Sequence, residues 1–223
     1  MTLGNGAVIW DVDGTLVDTA ELHFQAWVAL AAELGKPFTR ADFAATFGWR
    51  NPEIIPKLFG IDPADRAVAE LGDRKELLYR AAAQGGVELL PGVRPLLDGL
   101  RAAGFKQAIG SSAPRTNLDL ILDLTRTASY FDAVVSMEDT RKGKPDPEVF
   151  LTAAQRLGVA PARCLVFEDA PVGVQAAHAG GMRCIGVTFV GHHPVEALQR
   201  AGADLVVPSL AEVSPATVRQ LLG

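Results

Sequence analysis

An alternation constrains this chain more than any other feature. Short apolar runs at roughly 7–12, 105–110, 133–136, 164–168, 183–187 and 204–207 alternate with helix-period segments at roughly 93–103, 115–124, 147–157, 171–180 and 194–201. Repeated strand–helix units predict an α/β fold: a parallel sheet covered by helices on both faces, a Rossmann-like three-layer core. One stretch breaks the rhythm. From about residue 19 to 88 the patterns are helical only, at roughly 20–35, 39–46, 51–58 and 63–84, and Gln84-Gly85-Gly86 closes the last of them. The expected organisation is a core made of 1–17 and 89–223 with an inserted all-helical cap, 18–88. The joints fall near Val17-Asp18 and Leu90-Pro91-Gly92. A helical module beside a site is suited to excluding water during chemistry.

Bulk properties narrow the partners. The 223 residues suffice for a large core, and 48% apolar with 21% charged residues is ordinary for a globular chain. A net charge of −5 gives no basic footprint for nucleic acid and no attraction to anionic membranes. Cys164 and Cys184 adjoin apolar runs, so buried strand thiols are expected rather than a disulfide or ligands. No targeting or membrane-spanning pattern is visible. The expectation is a cytoplasmic protein, a monomer or weak homo-oligomer, acting on a small molecule.

Candidate chemistry gathers at strand ends. Asp11-Val12-Asp13-Gly14-Thr15 follows the run Ala7–Trp10. Carboxylates two residues apart point to one side, and Gly14 allows a sharp turn. An Asp-Gly turn without function is the plain alternative. Ser111 and Ser112 follow the second strand, with Pro114 at a plausible helix start, where hydroxyls and free N–H groups bind anions or simply cap a helix. Lys144 precedes Pro145 and could neutralise a phosphate or sit in solvent. Glu168-Asp169 ends another apolar run. Alternation predicts that only one of these two faces the common centre, Asp169, with Glu168 acting through water; Asp169 could equally cap the next helix. Four acids in one place repel: two unit charges at about 4 Å cost roughly 4 kcal/mol at an effective dielectric of about 20. A divalent cation together with Lys144 would offset this. An all-oxygen donor set points to Mg²⁺.

The ordered set Asp-x-Asp-Gly-Thr, a strand-end Ser, Gly-Lys-Pro and Glu-Asp resembles the four motifs of the haloacid dehalogenase superfamily, over nearly the whole chain. The resemblance implies that Asp11 is the nucleophile taking the phosphoryl group and Asp13 the general acid and base. It implies that Ser111, with Ser112 as neighbour, and Lys144 bind the phosphoryl group. Asp169, Asp11 and the Asp13 main-chain carbonyl would hold Mg²⁺, with Glu168 in support. Asp13 argues against dehalogenation, because a leaving halide needs no proton. Nearby like charges are expected to raise its pKa and help it hold one.

The cap should set the substrate. His23 and Trp27 share a helix face; Trp27 suits cap core, while His23 faces either the centre or solvent. Arg50, Asn51 and Lys75 are further polar candidates. Residues 18–27 and the pair Arg74-Lys75 are similar to the β-phosphoglucomutase group, but the mutase loop Gly-Val-Ser-Arg is replaced by Gly48-Trp49-Arg50-Asn51-Pro52. The expected activity is a Mg²⁺-dependent phosphatase of a small phosphorylated metabolite, such as a phosphosugar, working through an aspartyl-phosphate. A β-phosphoglucomutase is the alternative. A non-catalytic phospho-accepting or binding module would need neither the cap nor Asp13. His192 and His193, on a turn, are expected to be solvated without a role.

Overall fold

The computed structural model describes residues 6–223. The strands are β1 (Ala7–Trp10), β2 (Lys106–Gly110), β3 (Ala133–Val135), β4 (Cys164–Glu168), β5 (Arg183–Val187) and β6 (Leu205–Val207). They form one parallel sheet in the order β3-β2-β1-β4-β5-β6. The helices are α1 (Ala20–Glu33), α2 (Arg40–Thr46), α3 (Asn51–Phe59), α4 (Arg66–Ala83), α5 (Val93–Ala102), α6 (Arg115–Leu124), α7 (Glu148–Leu157), α8 (Pro171–Ala179), α9 (Val195–Ala201) and α10 (Pro215–Leu222).

The period of two in β1 divides the core. Val8 and Trp10 pack with Leu97, Leu118 and Val218 on one face, while Ala7 and Ile9 pack with Phe150, Val174 and Leu198 on the other. A strand buried on both faces must be apolar throughout, as Ala7–Trp10 is. Cys164 and Cys184 are buried and unpaired, as expected. The sequence reading omitted α10. Its start carries a reciprocal Ser214–Thr217 cap, and Val218 is its one fully buried apolar anchor, too weak a pattern to stand out.

Helices α1–α4 follow β1 and precede α5 and β2. They share an apolar cluster of their own, built on Trp27, Leu30, Phe43, Ile55 and Phe59. The chain leaves and re-enters the sheet side by side: Val17 bridges Leu89, and the Leu90 N–H donates to the Leu16 carbonyl at 2.9 Å. Among the described residues, no helix is long and apolar enough to cross a membrane.

Candidate active site

β1 and β4 are neighbours at the centre of the sheet, where the strand order reverses, and their carboxyl ends open on one crevice. β1 stops at Trp10, so Asp11 is the first residue beyond it and its N–H donates to the Phe167 carbonyl at 3.0 Å. The chain then folds over itself: the N–H groups of Leu16 and Val17 both donate to the Val12 carbonyl. Gly14 adopts φ 84°, and a Cβ there would lie 2.0 Å from Asp169 Oδ2. Glycine is needed for its backbone angle and for the closeness of the acid. Gly173 on α8 is needed for closeness alone: a Cβ there would lie 1.7 Å from Glu168 Oε1.

Lys144 Nζ donates to Asp11 Oδ1 at 2.7 Å and to Glu168 Oε1 at 2.5 Å, all three side chains being buried. Glu168 Oε2 accepts from the N–H groups of Asp169 and Ala170, each at 2.8 Å. Glu168 is thus fixed directly by Lys144 and by two main-chain N–H groups. Asp169 lies one residue past β4, so strand alternation no longer separates the two acids. Oxygens of Asp11, Glu168 and Asp169 lie within 4.8 Å of one another. Burial, with Lys144 opposing it and Glu168 adding to it, pushes the Asp11 carboxyl up to about 8. Burial and the same acids raise Asp169 well above the carboxylate range. Burial alone would lower the Lys144 ammonium; Asp11 and Glu168 reverse that and raise it. Asp169 Oδ2 is buried without a hydrogen-bond partner. Asp169 does not cap α8, whose N-cap is Ala170. An unpaired buried oxygen amid three carboxylates and one ammonium fits a hard divalent cation such as Mg²⁺.

Asp13 turns the other way. It accepts a short hydrogen bond from Thr19 Oγ1 and lies 3.2 Å from His23 Nε2. Lys75 Nζ is 2.7 Å from His23 Nδ1. A lysine has only hydrogens to give, so Nδ1 is the acceptor and Nε2 carries the hydrogen facing Asp13. Tyr79 stacks on the imidazole at 3.9 Å between ring centroids. Burial pushes the Asp13 carboxyl up, but His23, Thr19 and Lys75 outweigh it and leave it below its ordinary value. This corrects the expectation that like charges would raise it: Asp13 points to donors, away from the other acids.

Lys75 Nζ also donates to Glu76 Oε1 at 2.9 Å, and Glu76 accepts from Asn51 Nδ2 at 2.7 Å and from Asn117 Nδ2 of α6 at 2.6 Å. Despite burial, Lys75 and His23 draw the Glu76 carboxyl down to about 2. Asp11, Asp13, His23, Ser111, Ser112 and Lys75 line one cavity, which Asn51 and an edge of Trp27 also reach. Ser111 is buried, its Oγ accepting from the Ala113 N–H at 3.1 Å. Trp27 is cap core as expected. Arg50 is not in this cavity: it donates to Glu53 Oε1 at 3.2 Å and to the carbonyls of Thr140 at 3.3 Å and Arg141 at 3.0 Å. Arg74 is spent on an exposed pair with Glu33 at 2.6 Å. His192 and His193 are partly buried, not freely solvated, and His192 packs on Phe47 with ring centroids 4.9 Å apart.

Comparison with known proteins decides the family. Residues 6–181 match the haloacid dehalogenase-like hydrolases. The chain belongs to this family. The β-phosphoglucomutase of Bacillus subtilis is 33% identical over 216 residues, covering 93% of this chain and 91% of that protein. A phosphorylated carbohydrates phosphatase of Thermotoga maritima is 35% identical over 207 residues, covering 90% of this chain and 93% of its own length. The crystal structure of a Clostridium difficile β-phosphoglucomutase superposes with a TM-score of 0.87 at 25% identity, covering 97% of this chain and 96% of that one.

For this haloacid dehalogenase-like hydrolase, sequence reasoning missed Thr19, Glu76 and Asn117 among the residues around the cavity. Thr19 stands four residues before His23, a spacing that brings side chains together on a helix. Glu76 and Asn117 carry no local signal, because their contact joins α4 to α6 across 41 residues.

Proposed function

We propose that this hydrolase is a phosphatase of a small phosphorylated sugar, with Asp11 as nucleophile and Asp13 as general acid and base. One observation carries the reading: Asp11 and Asp13 flank the same cavity, yet Asp11 is held by Lys144 and Asp13 by Thr19 and His23. Two carboxylates with separate partners can take separate roles. An Asp11 oxygen attacks phosphorus, the ester oxygen departs with a proton from Asp13, and an aspartyl-phosphate remains. Asp13, now a base, takes a proton from water as that water attacks phosphorus, and Asp11 is released with inorganic phosphate. In the free protein Asp13 is a carboxylate; the arriving phosphoryl dianion raises its proton affinity, so it takes up one proton from solvent before the ester oxygen leaves, and after the water attacks it gives the proton it gained back to solvent as phosphate departs. Ser111 and Lys144 bind phosphoryl oxygens. Asp11, Asp169 and the Asp13 main-chain carbonyl would hold Mg²⁺, with Glu168 in support; the bound ion would neutralise charge on the phosphoryl group. The insert 18–88 serves as a cap over this centre.

The β-phosphoglucomutase alternative draws support from His23, placed between Asp13 and Lys75, and from the mutase relatives. ³¹P NMR with β-glucose 1-phosphate, Mg²⁺ and a trace of the 1,6-bisphosphate separates the two. Inorganic phosphate supports the phosphatase and glucose 6-phosphate the mutase. No turnover across a panel of phosphoesters, with metal present and the protein folded, defeats both.

A further inference from the structure

The helical side of the cavity holds one buried pair of opposite charges, Lys75 and Glu76, 2.9 Å apart and 3% and 6% exposed. Bonds from Lys75, Asn51 and Asn117 pin the Glu76 carboxylate from three directions. Lys75 is the one lysine or arginine lining this cavity among the described residues. The neighbouring arginines are committed elsewhere: Arg50 to Glu53 and main-chain carbonyls, Arg74 to Glu33, Arg80 to Thr116 and Asn117. Phe43, Phe47 and Ile54 add apolar wall around the pair.

We propose that Glu76 sets the substrate class of this site: a phosphate monoester whose far end is uncharged and hydroxyl-bearing, with sugar bisphosphates rejected. The proposal rests on the phosphatase reading above. A second phosphate would have to shed its water against a wall whose single cation is already neutralised, with a fixed carboxylate beside it. A hydroxyl needs only one donor and one acceptor. The one remaining Lys75 hydrogen, Thr46 and the Asn51 amide oxygen can supply them without leaving a charge unpaired. Selectivity therefore comes from repulsion built into the wall, not from tighter holding of the correct ester.

The test is calorimetric binding of glucose 6-phosphate and glucose 1,6-bisphosphate, with Mg²⁺, to the Asp11→Asn variant and to Asp11→Asn/Glu76→Gln. The expected result is that the first variant binds the bisphosphate at least tenfold more weakly than the monophosphate. Adding Glu76→Gln, which leaves Lys75 uncompensated, should shift that ratio at least tenfold toward the bisphosphate. Equal affinities in the first variant, or a second variant that gains no bisphosphate affinity, overturn the proposal. Should Glu76→Gln not fold, Lys75→Met in the Asp11→Asn background carries the test. It strips the cation from the carboxylate and must weaken bisphosphate binding further; unchanged binding overturns the proposal. These measurements need no turnover, so an inactive wild type would defeat the phosphatase reading while the affinity ratio still judged Glu76.

Discussion

Two lysines of this protein sit in similar settings with opposite outcomes. Lys144 is buried between Asp11 and Glu168, with Asp169 beside them, and the acids outnumber it. Lys75 is buried between Glu76 and the imidazole of His23, and the charges match. The carboxyls report the difference: Asp11 is driven up to about 8 by burial and by the neighbouring acid, while Glu76 is drawn down to about 2, in spite of burial, chiefly by Lys75. A deficit of positive charge is what a site completed by a cation looks like. A balanced pair marks a surface that shapes a ligand without drawing in another charge.

The comparison can be broken most severely at Asp11. Asp11→Asn is expected to cut phosphate release by about 10⁴-fold with near-UV circular dichroism unchanged; turnover within tenfold of wild type removes Asp11 from its role. Next is Lys144→Met, which strands buried acids and should cost about 4 kcal/mol in urea unfolding. Added Mg²⁺ should recover part of that loss, since an ion bound only by the native state stabilises it. A loss that Mg²⁺ leaves untouched would mean that the acids do not gather a cation.

The balanced pair predicts a pH effect of its own. The folded pKa of Glu76, about 2, lies below its ordinary 4.5. Its contribution, about 3 kcal/mol, is therefore fully present above pH 4.5 and is lost as pH falls toward 2. Glu76→Gln should flatten the fall in unfolding free energy between about pH 5 and 3; parallel curves would show that the pair contributes nothing to acid sensitivity. The smallest effect separates leaving groups. Asp13→Asn should slow an alkyl phosphate by about 100-fold and spare the first step of nitrophenyl phosphate, whose leaving group needs no proton. A burst of nitrophenolate followed by slow turnover is the signature, and equal slowing of both esters argues against proton transfer by Asp13.

How much was legible in the sequence follows from the range of the interactions. The sheet could be read because each strand is buried on both faces and shows as an apolar run, and Asp11, Glu168 and Asp169 could be read because they end such runs. Lys144 was found through its position in a strand-to-helix connection. What escaped depends on side-chain direction and on pairs distant in sequence. Nothing near Asp13 says that its carboxylate leaves the other acids for Thr19 and His23. Arg50 looked available for substrate because its acceptors, the carbonyls of Thr140 and Arg141, lie about 90 residues on. Glu76 gave no sign until α4 met α6.

That displaced arginine ties the insert to the segment that carries Lys144. Arg50 and Glu53 belong to the start of α3, and they press so closely on Gly143 that a Cβ there would lie 2.5 Å from the Glu53 carboxylate and 2.8 Å from Arg50 Nε. Gly143 is the residue before Lys144. Any outward swing of the helices over the sheet must therefore uncouple Arg50 from the very backbone that aims the lysine. Were those helices to part from the sheet to admit a substrate, the Lys144 backbone would lose its support in the same step.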